Sequence, residues 1–143
     1  MVWDILLQAA AGFILGAAVG YGVGAVIDAL SRVFAELWEN LVAATREIWG
    51  YVTEATQYLL ANIAQFLDNT WSEIEYYLRQ EFGYRREWWI AVFREGREVF
   101  LGFIDPTSSQ NQSVIGSIGM LEPGTDVQLP TKQNPIVTKL TLA

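Results

Sequence analysis

The chain contains no cysteine and no histidine, and its first lysine is Lys132. Without cysteine it forms no disulfide and offers no thiolate nucleophile or metal ligand; without histidine it also lacks the commonest general base. Catalysis would then rest on carboxylates or hydroxyls. Glu73 and Glu75 fall on different faces of a helix, and Glu36 with Glu39 reads as a solvated stripe. No acid–base pair is set up, so the expectation is a protein that is not an enzyme and carries no cofactor or metal. Charge is scarce as well. Charged residues make up 17% of the 143 residues, against about 25% in an ordinary soluble domain, and hydrophobic residues 52%. A net charge of −7 argues against a nucleic-acid binder, which needs a dense basic surface. Such a composition implies apolar surface that faces something other than water, and six tryptophans fit the same reading.

Residues 5–27 hold no charge and are bounded by Asp4 and Asp28. As a helix they reach about 34 Å, close to the ~30 Å hydrocarbon core of a bilayer. A secretory signal peptide is the competing reading, with Gln8-Ala9-Ala10-Ala11 offering small residues. It is set aside because no Lys or Arg precedes the apolar run and Asp4 occupies the place of the positive region. Residues 1–29 are therefore expected to form a transmembrane helix.

Within that helix Gly12, Gly16, Gly20 and Gly24 repeat every four residues, and Gln8 and Asp28 extend the row at both ends. Glycine costs roughly 1 kcal/mol against alanine in a water-exposed helix, so a regular row calls for a reason. Bare backbone lets two helices approach closely in lipid, where dispersion and Cα–H···O contacts replace the missing hydrophobic drive. Over residues 9–27 this pattern resembles the glycine-zipper class of transmembrane segments found in channels, toxins and membrane assemblies. The resemblance implies packing against copies of itself or another membrane helix. The competing structural reading is a buried hairpin helix in a soluble bundle. Gly20-Tyr21-Gly22-Val23-Gly24 is no phosphate loop, since no strand precedes it and no Lys-Ser/Thr follows.

Across residues 30–82, Phe34, Leu37, Leu41, Ile48, Val52, Leu59, Ile63, Leu67, Trp71, Ile74 and Leu78 recur at spacings of three, four or seven. This is the period of an amphipathic helix, with Gly50 and Asp68-Asn69-Thr70 as the expected breaks and Asp68 or Asn69 as a cap for a helix starting near Trp71. Asp28 and Arg32 have the spacing of an i,i+4 ion pair.

Gly83 predicts a helix stop. In residues 83–104, Arg85, Arg86, Arg94 and Arg97 alternate with Trp88, Trp89, Phe93, Phe100 and Phe103. These residues are expected to form an interfacial helix, its rings at headgroup depth and its guanidinium groups on phosphates. The alternative is that Trp88 and Trp89 plug a protein core. Asp105-Pro106 ends the helical pattern. Residues 105–143 form a tail with strand-prone stretches around Val114, Ile115 and Ile118, at 127–129 and at 136–142, split by the turn Glu122-Pro123-Gly124-Thr125 and by Pro130 and Pro135. Short strands of this kind build no core alone, so the tail is expected to pair with a neighbouring sheet edge or lie along another subunit.

The sequence thus predicts a mostly α-helical membrane protein: a transmembrane helix, a long amphipathic region, an interfacial helix and an extended tail. The expected role is structural, in an envelope, virion or secretion machine. Its partners would be membrane lipid, itself or another membrane helix, and neighbouring subunits clasped by the tail. Arg32 and Arg46 follow the span, which places the bulk on the cytoplasmic or internal side. A second reading is an oligomeric pore with Gln8 and Asp28 near its mouths, although only Tyr21 is polar in between. A third is a soluble helical adaptor that buries the glycine row and offers an acidic helix to a basic partner.

Overall fold

A computed structural model describes residues 23–83, 87–104, 113–121, 124 and 127–142. Three helices lie in its first half: α1 (Val23–Asp28), α2 (Arg32–Trp49) and α3 (Glu54–Phe82). The 3.6-residue spacing puts Phe34, Leu37 and Leu41 of α2 and Leu59, Ile63, Leu67, Trp71, Ile74 and Leu78 of α3 inside, none more than 9% exposed. Gly50 ends α2 in the left-handed region at φ 80°, its N–H donating to the Arg46 carbonyl at 2.7 Å. That is the stop glycine provides most readily. Thr53 starts α3 by accepting a hydrogen bond from the Thr56 N–H at 3.2 Å.

The expected break at Asp68-Asn69-Thr70 is absent, and α3 runs through it for 29 residues. Asp68 caps a different helix. Its carboxylate accepts from the Ser31 N–H at 2.8 Å and from the Ser31 hydroxyl at 3.2 Å, at the start of α2. Thr70 turns its hydroxyl back onto the Phe66 carbonyl at 2.7 Å, so a polar triplet is held in helix by tertiary and local bonds together.

Four antiparallel strands follow: β1 (Glu87–Glu95), β2 (Glu98–Ile104), β3 (Ser113–Met120) and β4 (Ile136–Thr141), in the order β3-β2-β1-β4. The interfacial helix expected over residues 83–104 is therefore a β-hairpin. Its turn is Gly96-Arg97, with Gly96 at φ 61° in the first central position, where primed hairpin turns require positive φ. The period that decides is two, not 3.6. Trp88, Ile90 and Val92 point inward with Val99, Leu101 and Phe103 opposite, all buried. Each such side chain contributes roughly 1.5–3 kcal/mol on leaving water.

The strand-prone tail is not an extended appendage. It returns to its own sheet, β3 pairing with β2 and β4 with β1, while 127–129 is a buried crossing segment and not a strand. Gln128 anchors that crossing. Its side-chain oxygen accepts from the Thr53 N–H at 2.7 Å, its amide nitrogen donates to the Tyr51 carbonyl at 3.1 Å, and its backbone N–H donates to Thr56 Oγ1 at 2.9 Å. The helices thus cover one face of an antiparallel sheet: Trp71 meets Phe103 at 6.0 Å between ring centroids, and α2 lies against both α3 and β4. This is an α+β layer pair, not the mostly helical arrangement expected.

No helix among the described residues is long and apolar enough to cross a membrane. The predicted span enters these residues only at 23–27. There it belongs to six-residue α1, about 9 Å long, which lies against α3 and α2. Residues 1–22 of that prediction, with Gln8, Gly12, Gly16 and Gly20, lie outside the described residues. The membrane-embedded architecture and membrane location are corrected on that finding, and the pore reading with them; the described residues do not bear on the glycine-zipper resemblance.

Candidate interaction surface

Alternation along each strand sends a second set of side chains to the face away from the helices. The registers lay them out in rows. Trp89 stands between Lys139 and Ile104; Ala91 between Val137 and Gly102, with Ile115 beyond Gly102; Phe93 beside Phe100, with Ser117 beyond. Glu95, Glu98 and Met120 form the row at the hairpin end. Phe93 and Phe100 stack with centroids 5.2 Å apart and planes 8° from parallel.

A sheet with one wet face ordinarily alternates apolar inside with polar outside. Here the second face is apolar as well. Trp89 is 38% exposed, Val137 39%, Ile115 47% and Met120 52%, and all four project from it. Charge is kept to its margins: Glu87 pairs with Lys139 at 3.7 Å at one end, and Glu95 faces Glu98 at the other. Between those ends the rows of Ala91 and Phe93 bear no charge, and Ala91 and Phe93 are themselves buried, so the exposed apolar side chains lie around them.

The residues expected to act together are dispersed. Trp88 is 2% exposed and faces the helices, so it serves the core, whereas Trp89 is its outward neighbour. Arg94 lies half-buried near the end of β1, its N–H donating to the Pro130 carbonyl at 2.9 Å. Arg97 sits in the hairpin turn, its guanidinium donating to the Leu121 carbonyl at 3.4 Å. They form no headgroup-facing row, and Arg85 and Arg86 lie outside the described residues. Gly24 is exposed in α1 with nothing within 4 Å of where a Cβ would stand. Asp28 is exposed at the end of α1, and Arg32 is 3.7 Å from Glu36 instead of pairing as expected.

Glu75 is held by Arg79 at 2.6 Å, and no group of three or more metal-binding side chains occurs among the described residues. What sequence reasoning missed is the face carrying Trp89, Val137, Ile115 and Met120. The signal was present in Trp88-Trp89-Ile90-Ala91-Val92-Phe93, six apolar residues rich in aromatic and β-branched types, which suits a strand buried on both faces. Comparison with protein-family models, curated proteins and solved structures found no match.

Proposed function

We propose that this chain is a non-enzymatic assembly protein that joins copies of itself through the outer face of its sheet. The observation that carries the reading is the set of four large apolar side chains exposed on that face, placed around a centre, Ala91 and Phe93, that is already buried. Isolated exposed apolar residues need no explanation, but a shared patch is a mark of an interaction site.

Because Ala91 and Phe93 at the centre are already buried, the face offers a second copy only its marginal side chains. A contact of that size falls below the ~1,000 Å² of a stable interface, so the pairing is a weak, reversible one. Sheets packed this way align within about 30°, interdigitating side chains across ~10 Å.

Sedimentation velocity of the full chain over a range of concentrations tests this. Trp89→Glu should weaken self-association at least tenfold, while Tyr76→Glu, at an exposed position on α3, should leave it unchanged. A chain that stays monomeric at high micromolar concentration, or one whose association ignores Trp89→Glu, overturns the reading.

A further inference from the structure

The two edges of the sheet are guarded unequally. The β4 edge lies against α2, carries the exposed Lys139 within the strand and has Pro135 directly before it. Helical cover, lysine and proline are the usual ways of stopping an edge from recruiting another strand. Among the described residues the β3 edge has none of these. Its eight residues, Ser113–Met120, include no charge and no proline, and among the described strands β3 pairs with β2 alone.

From this asymmetry we infer that β3 takes a second copy of itself, antiparallel, so that the sheet continues across a two-fold axis. The register follows from one irregularity. The β2–β3 ladder shifts between Val99 and Phe100, which pair with Gly119 and Ser117, leaving Ile118 as the extra residue. Residues 113–117 are the regular stretch before that bulge. Antiparallel pairing that uses all five places the axis at Ile115, opposite its own copy, with 114 opposite 116 and 113 opposite 117. Ile115, 47% exposed, would cover its counterpart. An uncharged strand also brings no like-charge pair to the contact, so self-pairing meets no electrostatic penalty there. Backbone hydrogen bonds supply the binding energy that the small outer face lacks. This contact uses the edge and shares only Ile115 with the proposed face-to-face contact.

The absence of cysteine makes a clean test. The full chain with Ile115→Cys carries one thiol, and oxidation by diamide joins two copies only where those thiols meet. Tyr76→Cys, exposed on α3 and away from both the face and the edge, is the control. The expected result is a covalent dimer of Ile115→Cys forming at least tenfold faster than that of Tyr76→Cys, and forming equally well when Trp89→Glu is added. Equal rates for the two thiols overturn the proposal. Loss of the cross-link on adding Trp89→Glu also overturns it, while leaving the face contact standing. A cross-link that persists although Trp89→Glu never affects sedimentation supports the edge and removes the face. Should Ile115→Cys fail to fold, hydrogen exchange on the unaltered chain decides. Amides of residues 113–117 should gain protection as concentration rises and those of β4 should not; no gain overturns the inference.

Discussion

Trp71 and Trp38 are indoles of the helical layer whose N–H groups fare differently. Trp38 is half-buried and donates to the Gln57 carbonyl at 3.0 Å, tying α2 to the first turn of α3. Trp71 is 9% exposed, set between Phe34 at 5.8 Å and Phe103 at 6.0 Å, and among the described residues its Nε1 has no hydrogen-bond partner. Burial alone would make Trp71 the costlier residue to shorten. The hydrogen bonds reverse that order. Trp38→Phe forfeits a bond worth about 1 kcal/mol and strips a partner from a carbonyl, whereas Trp71→Phe relieves a desolvated donor whose burial costs about 1–3 kcal/mol. Both lose ring volume. Urea denaturation should therefore show Trp71→Phe to be the less destabilising of the two; a larger loss at Trp71 would mean that its ring contacts outweigh the unpaired N–H.

At the scale of elements, the decisive join is between the crossing segment and the start of α3. Gln128 is 7% exposed, Thr56 is fully buried, and together with Thr53 and Tyr51 they satisfy one another across more than seventy residues of chain. Gln128→Ala keeps the backbone bond to Thr56 but strands the Thr53 N–H and the Tyr51 carbonyl. A cost of about 2–3 kcal/mol follows, read as a fall in denaturation midpoint with an unchanged denaturant slope. No property of Gln128 as a letter in a tail announced this, because its partners are set by tertiary closure. The same holds for Asp68, whose place beside Asn69 and Thr70 looks like a local cap until Ser31 is brought to it. Helical periodicity was legible in residues 34–78 because one face is buried and the other wet. It misled in residues 88–103, where apolar residues serve both sheet faces and the alternation that marks a strand is blurred. The strand tendency around residues 114–118 and 136–142 was legible too, but which edge each would join was not, since pairing is chosen by the whole sheet. Of the interaction surface, only the tryptophan pair was visible in sequence, and nothing there separated the inward Trp88 from the outward Trp89.

On the scale of the whole molecule, apolar and acidic surfaces lie on opposite sides. Glu36, Glu39, Glu47, Glu54 and Glu73 are exposed on α2 and α3, while the outer sheet face keeps charge at its margins. Face and edge are two separate contacts, each relating a copy to its twin by a two-fold axis. One such contact closes on a dimer; two, as proposed here, carry assembly past it, to a closed dihedral set where their axes intersect at a closing angle and to an open chain where they do not. Each added copy brings a net charge of −7, so growth works against accumulated repulsion that falls off over a Debye length of about 10 Å at 0.1 M salt. Raising sodium chloride from about 0.05 to 0.5 M should therefore increase the average mass in sedimentation equilibrium, with species beyond the dimer. The Trp89→Glu chain, left with its edge alone, should respond to salt in the same direction but stop at two copies. Assembly that weakens on adding salt would place ion pairs, and not apolar faces and uncharged strands, at the contacts.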